Sequence, residues 1–308
     1  MWIGIKYRFN QTRAKTAYAF AGASNFARLR FRHNGHRPRI AAVMVGRNDD
    51  YMSDFRERLE ATLAWNTEYL VGEVVFVEWN PPPDRELLSL QLTKKFSKLR
   101  AFVVPPEIHR QTCANDNIKL LEYHAKNVGI RRAQSPWILV TNADAAVGFD
   151  AISKIVTDGL EPDVIWTAQR IDIPWKEDNQ REIGLLNSLR YRRVNPYDPL
   201  GTGEFCLASR ELWHRSRGYD ELMVRHRFGC DVRGTAQMMK HGGKTRNVGT
   251  VLHLTHPTSC TEGIRPHHGE MATSEGVPYY NPDDWGLGGL KEVEIAERVW
   301  RLEKNDKE

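Results

Sequence analysis

The chain of 308 residues has few cysteines and no long apolar run. Its four cysteines are widely spaced and form no Cys-x-x-Cys pair, so we expect neither a zinc site nor a disulfide framework. No apolar stretch reaches the ~20 residues that a membrane helix needs. The first residues lack an apolar segment followed by a small-residue cleavage site. These absences predict a cytoplasmic protein.

The composition favours anionic partners without identifying one. The net charge is +5, which suits nucleotide diphosphates, acidic glycans, an anionic membrane face or nucleic acid, although ordinary solubility charge explains it equally well. Hydrophobic residues make up 41% of the chain and charged residues 27%, so a sizeable core can form.

Residues 1–38 differ from the rest of the chain in their charge. Arginine, lysine and aromatic residues are mixed there, and no acidic residue precedes Asp49. We interpret the segment as a basic N-terminal appendage, which can make peripheral contact with the anionic inner face of a membrane. An unstructured tail and a helix packed on the body are the alternatives.

From residue 40 onward, short apolar runs alternate with segments of helical spacing. Strands are predicted at 40–45, 74–77, 101–104, 137–141 and 164–168, and two more at 204–209 and 248–254. Strands that alternate with helices indicate an α/β fold with a mostly parallel central sheet and helices on both faces. Residues 257–289 are predicted to form a lid-like loop, and Glu292 to Leu302 a closing C-terminal helix.

Polar side chains follow two of the predicted strands directly. Glu78 follows the second strand, and Asn142 and Asp144 follow the fourth. Ligands of such sheets bind at the carboxyl ends of the strands. Asp144 could cap the next helix, or it could hold a magnesium or manganese ion against a diphosphate.

The residues around Asp144 resemble glycosyltransferases of the GT-A fold, in particular those of the family 2 type. The resemblance lies in four blocks, namely 126–133 with 137–144, 203–210 with 218–221, 228–231 and 251–256. It implies a single GT-A, Rossmann-like domain over residues 39–256, with a nucleotide-sugar half at 39–150 and an acceptor half at 151–256. Residues 257–308 would follow as loop and helix.

The resemblance also implies an activity and its residues. The chain would move a sugar from a nucleotide-diphosphate donor to a hydroxyl acceptor in glycan or glycolipid assembly, with inversion. Asp231 would be the general base, and Glu204 is the rival base or a ligand of acceptor hydroxyls. Asp144 would bind Mn²⁺ or Mg²⁺ together with His253 or His256. Asn142 stands where the family has the first Asp of its Asp-x-Asp motif, and Cys230 where it has a Glu.

The remaining donor contacts are assigned by position. Candidates from the motif and the preceding helix are Lys126, Asn127, Arg131, Asn142, Ala143 and Asp144. Arg47 and Asn48 follow the first strand and Glu78 the second, where base or ribose would lie. Arg47, Lys126 and Arg131 could offset charge on the leaving diphosphate, and surface solubility is the alternative for each.

Four other functions are weighed against this one. A sugar-phosphate nucleotidyltransferase needs a glycine-rich loop after the first strand, which Gly46-Arg47-Asn48 does not supply. A catalytically impaired nucleotide-sugar-binding protein would explain Asn142 and Cys230. No nucleic-acid-binding motif is visible, so no nucleic-acid partner is expected. No GxGxxG follows the first strand, which argues against a dinucleotide-dependent dehydrogenase.

Overall fold

The computed structural model describes residues 38–49, 52–175, 193–194, 203–225, 229–256 and 280–305. Residues 1–37 of the predicted appendage at 1–38 and residues 257–279 of the predicted loop at 257–289 therefore lie outside the described residues. Within those ranges the strands are β1 Ile40–Gly46, β2 Glu73–Trp79, β3 Leu99–Val104, β4 Trp137–Thr141, β5 Ala145–Val147, β6 Val164–Pro174, β7 Arg193–Val194, β8 Phe205–Ser209, β9 Lys244–Thr255, β10 Lys291–Ala296 and β11 Val299–Glu303. The helices are α1 Phe55–Tyr69, α2 Leu88–Lys95, α3 Pro106–Thr112, α4 Glu122–Arg132, α5 Phe149–Asp158, α6 Arg210–Ser216 and α7 Cys230–Lys240.

These strands form one sheet in the order β10-β11-β3-β2-β1-β4-β8-β6-β9-β5, with β7 beside β6. The neighbours from β11 to β4 are parallel, as are β6 and β9. β8 runs antiparallel between β4 and β6, so those two strands point the same way. The carboxyl ends of β4, β6 and β9 and the amino end of β8 therefore meet at one edge of the sheet. The predicted α/β fold with a mostly parallel sheet is confirmed.

Each face of the sheet carries its own apolar core, because side chains alternate along a strand. In β1, Ala42 and Met44 enter the core that α1, α2 and α5 cover. Val43 and Val45 enter the opposite core, which α3, α4, α6 and α7 cover. The predicted placement of helices on both faces is thus correct.

The sheet curls at the end where the metal-motif residues lie. β4 and β5 are joined by residues 142–144 alone, yet β8, β6 and β9 stand between them in the sheet order. Four steps of ~4.8 Å would separate the two strands by ~19 Å in a flat sheet, and a linker this short spans at most ~14 Å. The curl brings β9 and β5 toward the end of β4, which places Asp144 among residues of β9.

The predicted C-terminal helix is wrong, because its residues form the hairpin of β10 and β11. β11 extends the sheet by pairing in parallel with β3, which buries Val299 and Leu302. Arg298 turns the hairpin with a φ of 63°. The open edge of β3 thus decides the structure of a segment whose apolar spacing fits either a helix or two strands.

None of the helices in the described part of the chain is both long and apolar enough to cross a membrane.

Candidate metal and acceptor site

Asp144 lies in the turn that leads from β4 to β5. The backbone N–H of Ala145 donates to the carbonyl oxygen of Asn142 at 3.2 Å, which closes the turn. The N–H of Leu254 on β9 donates to the carbonyl oxygen of Asp144 at 2.9 Å. Asp144 is 7% exposed, so its carboxylate lies largely out of solvent.

Two histidines from the end of β9 face this carboxylate. Nε2 of His256 lies 2.9 Å from Oδ2 of Asp144, and Nε2 of His253 lies 3.6 Å from the same oxygen. One ligand atom from each of the three residues falls within 4.8 Å of the others. The pairing of Ala145 with His253 in the β5–β9 ladder fixes this arrangement.

The electrostatics of the cluster favour an ionised carboxylate. Burial acts to raise the pKa of Asp144, but hydrogen bonds from His253 and His256 outweigh it and hold that pKa well below its usual range. Burial acts to lower the pKa of His253, but Asp144 and Asp172 raise it to about 9. Without a cation, the positive charge of a protonated His253 balances the carboxylates beside it.

These residues fit a divalent cation by the chemistry of their donors. Oδ1 of Asp144 is buried and has no hydrogen-bond partner in the part of the chain that is described. A buried carboxylate oxygen without a partner is costly, and a metal ion would satisfy it. One carboxylate and two imidazoles form a donor set that divalent transition-metal ions accept. Asp144, His253 and His256 are therefore a candidate metal site.

Arg170 on β6 connects this cluster to the predicted acceptor side. Its guanidinium contacts Asp172 Oδ1 at 2.8 Å, Glu204 Oε1 at 2.5 Å and His253 Nδ1 at 2.8 Å. Asp172 Oδ1 also lies 2.9 Å from His253 Nδ1. Arg170 and Asp172 are not among the predicted site residues, because nothing in the sequence reveals that β6 lies beside β9.

Asp231 lies in the first turn of α7, one residue after the helix begins. Burial raises the pKa of Asp231, and the charges of Glu204 and Glu122 raise it further, while Lys126 and the N–H of Val232 act in the opposite direction. The N-cap of α7 is Gly229, with a φ of 73°, and Asp231 follows it in the first turn. The raised pKa makes the carboxylate of Asp231 a stronger base than that of an ordinary Asp.

A buried lysine joins the turn at Asn142 to the Asp231 side. Nζ of Lys126 donates to Glu122 at 2.6 Å, to Asn142 Oδ1 at 2.8 Å and to the carbonyl oxygen of Gly203 at 3.1 Å. A Cβ at Gly203 would lie 2.7 Å from the Tyr123 hydroxyl, so glycine permits this close approach. Because Lys126 is 0% exposed, it can position Asn142 but cannot itself contact a donor.

Besides Lys126, three of the predicted donor contacts need correction. Glu78 is 0% exposed, and its two oxygens accept from the N–H groups of Leu88 and Ser89, so it caps α2 instead of facing a base or ribose. Asn127 is also 0% exposed and bonds to both backbone groups of Tyr219. Both side chains are fully occupied within the protein.

Arg131 is the third correction, and the direction of its helix is the reason. α4 begins near the carboxyl ends of the strands, and at ~1.5 Å per residue Arg131 lies ~13 Å further along it. Its guanidinium donates to the carbonyl oxygens of Asp283 and Trp285 and lies over the Trp285 ring. Arg131 anchors the last part of the predicted lid-like loop, away from the predicted diphosphate position.

Arg47 and Asn48 do lie at the predicted edge, just after β1. Nε of Arg47 is 3.3 Å from Asp49, and Nδ2 of Asn48 donates to the carbonyl oxygen of Glu86 at 2.7 Å. Both are partly exposed, so either can contact a ligand at this edge. Ala143 offers only its backbone, and its carbonyl oxygen accepts from Thr62 at 2.6 Å.

Comparison with solved structures identifies the fold. The structure of GalNAc-T7 with UDP, GalNAc and Mn²⁺ matches 74% of this chain with a TM-score of 0.51 and 13% identity. The chain spans 45% of the length of that structure. The mannosyltransferase PcManGT from Pyrobaculum calidifontis, in complex with GDP-Man and Mn²⁺, gives a TM-score of 0.42 and 18% identity over 88% of this chain and 70% of its own. No protein-family model and no curated protein matches the sequence. The fold is GT-A, as the resemblance implied.

Proposed function

We propose that this protein is a glycosyltransferase that moves a sugar from a nucleotide-diphosphate donor to a hydroxyl acceptor, in glycan or glycolipid assembly. The observation that carries the proposal is the cluster of Asp144, His253 and His256 at the edge of the sheet where Glu204 and Asp231 also lie. Sugar transfer from a diphosphate needs two parts, a metal-binding cluster and a carboxylate base whose pKa is raised. Both would lie at this edge of the sheet.

Asp144, His253 and His256 are the residues that would hold the cation, with Asp172 orienting His253 through Nδ1. A bound Mn²⁺ or Mg²⁺ would stabilise the negative charge that develops on the leaving diphosphate. Asn142 contributes no charge, and its Oδ1 is engaged by Lys126. Of the positions that match the Asp-x-Asp motif, we therefore assign a metal contact only to Asp144.

Asp231 is proposed as the general base of an inverting transfer. Its carboxylate takes the proton of the acceptor hydroxyl, whose oxygen forms a bond to the anomeric carbon. The bond between that carbon and the diphosphate oxygen breaks, and the products are a glycoside and a nucleoside diphosphate. The raised pKa of Asp231 supports this role, because a stronger base takes a hydroxyl proton more readily.

Glu204 is assigned to acceptor binding rather than to proton removal. Its Oε1 already accepts from the Arg170 guanidinium at 2.5 Å, so this oxygen is engaged within the protein. A carboxylate has further acceptor positions, which can receive hydrogen bonds from sugar hydroxyls. Glu204 is 7% exposed, so only a small part of its surface is open to a ligand.

One alternative function is favoured by two of this chain's own residues. Asn142 and Cys230 replace acids of the family pattern, and Cys230 is buried with its thiol pKa raised by that burial. A catalytically impaired nucleotide-sugar-binding protein would tolerate both replacements.

A panel of UDP- and GDP-sugars separates the two functions. With Mn²⁺ present, the transferase should release nucleoside diphosphate slowly from one donor with water as acceptor, and faster with a saccharide. Asp231→Asn should abolish the faster reaction while donor binding persists. Binding of a donor without any turnover, in the wild type and with every acceptor tried, would favour the impaired protein.

A further inference from the structure

One face of α1 carries a row of buried polar residues that the proposed chemistry does not use. Arg58, Thr62 and Asn66 follow each other at intervals of four residues, so they form one line along the helix. They are 4%, 0% and 1% exposed. A buried face of a helix is usually apolar. The neighbouring row of Phe55, Leu59 and Leu63 follows this rule and packs in the apolar core. The polar row therefore needs partners, and most of them are backbone groups around the metal cluster.

Thr62 and Asn66 bind the backbone on either side of Asp144. The Thr62 hydroxyl donates to the carbonyl oxygen of Ala143 at 2.6 Å. Nδ2 of Asn66 donates to the carbonyl oxygen of Ala145 at 3.1 Å, and its Oδ1 accepts from the N–H of Val147 at 3.0 Å. Among the described strands β5 pairs with β9 alone. Along its other edge, the backbone groups of β5 are hydrogen-bonded by the side chain of Asn66.

Arg58 binds the backbone that carries the histidines. NH1 of Arg58 donates to the carbonyl oxygens of Leu254 at 2.9 Å and Thr255 at 3.0 Å. Leu254 follows His253 and Thr255 precedes His256, so this one guanidinium group fixes the chain between the two ligands. Its Nε lies 2.9 Å from Asp54, which offsets the buried charge.

We propose that the row of Arg58, Thr62 and Asn66 is the positioning element of the metal site, and that Arg58 sets the separation of His256 from Asp144. The inference rests on the cation site proposed above. These residues touch neither the cation nor the donor. They act by holding the backbone of all three ligands to a single rigid helix, which lowers the reorganisation that cation binding would otherwise require.

The test measures Mn²⁺ affinity alone, from the loss of the free Mn²⁺ signal in electron paramagnetic resonance, with no nucleotide added. Arg58→Met keeps the length of the stem and removes the donors, and Thr62→Val removes the hydroxyl at nearly constant volume. Each should raise the Mn²⁺ dissociation constant about 10- to 100-fold, the effect typical of residues that orient metal ligands. Arg58→Lys should recover part of the loss.

Arg56→Met is the matched control, because Arg56 lies two residues away, has 55% of its side chain exposed and pairs with Glu60 on its own helix. It should bind Mn²⁺ as the wild type does. A purely structural role would lower the unfolding temperature of metal-free Arg58→Met and Thr62→Val but leave their Mn²⁺ affinity unchanged below that temperature, and this result would overturn the inference. Absence of Mn²⁺ binding by the wild type would overturn it together with the proposed cation site.

Discussion

Asp172 and His253 are direct partners in the parallel ladder of β6 and β9, and their side chains meet at 2.9 Å between Oδ1 and Nδ1. The contact leaves Nε2 of His253 directed toward Asp144. Carboxylates that bind the second nitrogen of a metal-ligating histidine fix its orientation and raise its basicity. This pair is therefore part of the site, although neither residue type nor spacing in the sequence connects the two.

Asp172→Asn should weaken Mn²⁺ binding about 10- to 100-fold, because the amide cannot hold the imidazole as the carboxylate does. Calorimetric titration with Mn²⁺ measures the change. Asp163→Asn is the control, since Asp163 has 64% of its side chain exposed and pairs with Arg215 far from the cluster. Equal affinities of Asp172→Asn and the wild type would remove Asp172 from the account.

Asp231→Asn should lower kcat about 10²- to 10⁴-fold with little change in donor KM, because it removes the base and leaves the donor contacts. In the wild type, kcat/KM should rise with pH through the raised pKa of Asp231, so its acid limb should lie above the range of an ordinary Asp. Steady-state rates over a pH series test both statements. Glu204→Gln should instead raise the KM for the acceptor. If Asp231→Asn transfers sugar at a rate within a few-fold of wild type, Asp231 is not the general base.

Gly234→Ala should destabilise the fold by about 1–3 kcal/mol, the usual cost of overpacking. A Cβ at this position of α7 would lie 2.1 Å from a ring carbon of Tyr219, which is buried against Trp213. Gly72→Ala is the control, because a Cβ there meets no atom within 4 Å. Urea unfolding of the two variants measures the difference, and equal midpoints would contradict the packing described.

Glu73 should make stability depend on pH in the acid range. Burial acts to raise the pKa of Glu73, but hydrogen bonds from Arg100, Ser135 and Gln134 outweigh it and lower that pKa. A lowered folded-state pKa stabilises the protein above the unfolded value of ~4.3, and the contribution is lost as the pH falls through the folded value. Glu73→Gln should therefore cost about 1–3 kcal/mol at pH 7 and progressively less toward pH 3. A difference that does not shrink in urea unfolding at low pH would contradict this.

The sequence predicted the elements whose pattern is local. β1 and β4 are continuous apolar runs bounded by polar residues, which buried parallel strands require, and their limits agree closely with the structure. The short β5 was missed, because Ala145 to Val147 pairs only after the sheet has curled. The C-terminal hairpin was taken for a helix because the partner that selects strands, β3, lies about 200 residues away.

The site divides in the same way between local and distant information. Asp144, His253 and His256 were predicted from the family resemblance, and the structure brings them together. Glu78, Asn127 and Arg131 were chosen by position alone, and contacts within the protein occupy each of them. The row of Arg58, Thr62 and Asn66 was not predicted to be buried, since only the position of β5 reveals its partners.

The central claim is that Asp144, His253 and His256 bind a cation that in turn holds the donor diphosphate. The most direct measurement is the unfolding temperature with UDP and with GDP, each with and without Mn²⁺, for the wild type, His253→Ala and His256→Ala. We predict that one nucleotide raises the unfolding temperature of the wild type only with Mn²⁺. At one hundred times its dissociation constant, the added free energy of unfolding should be about 2.7 kcal/mol. Both variants should lose most of this gain. Equal stabilisation with and without Mn²⁺, or a gain retained in both variants, would contradict the claim.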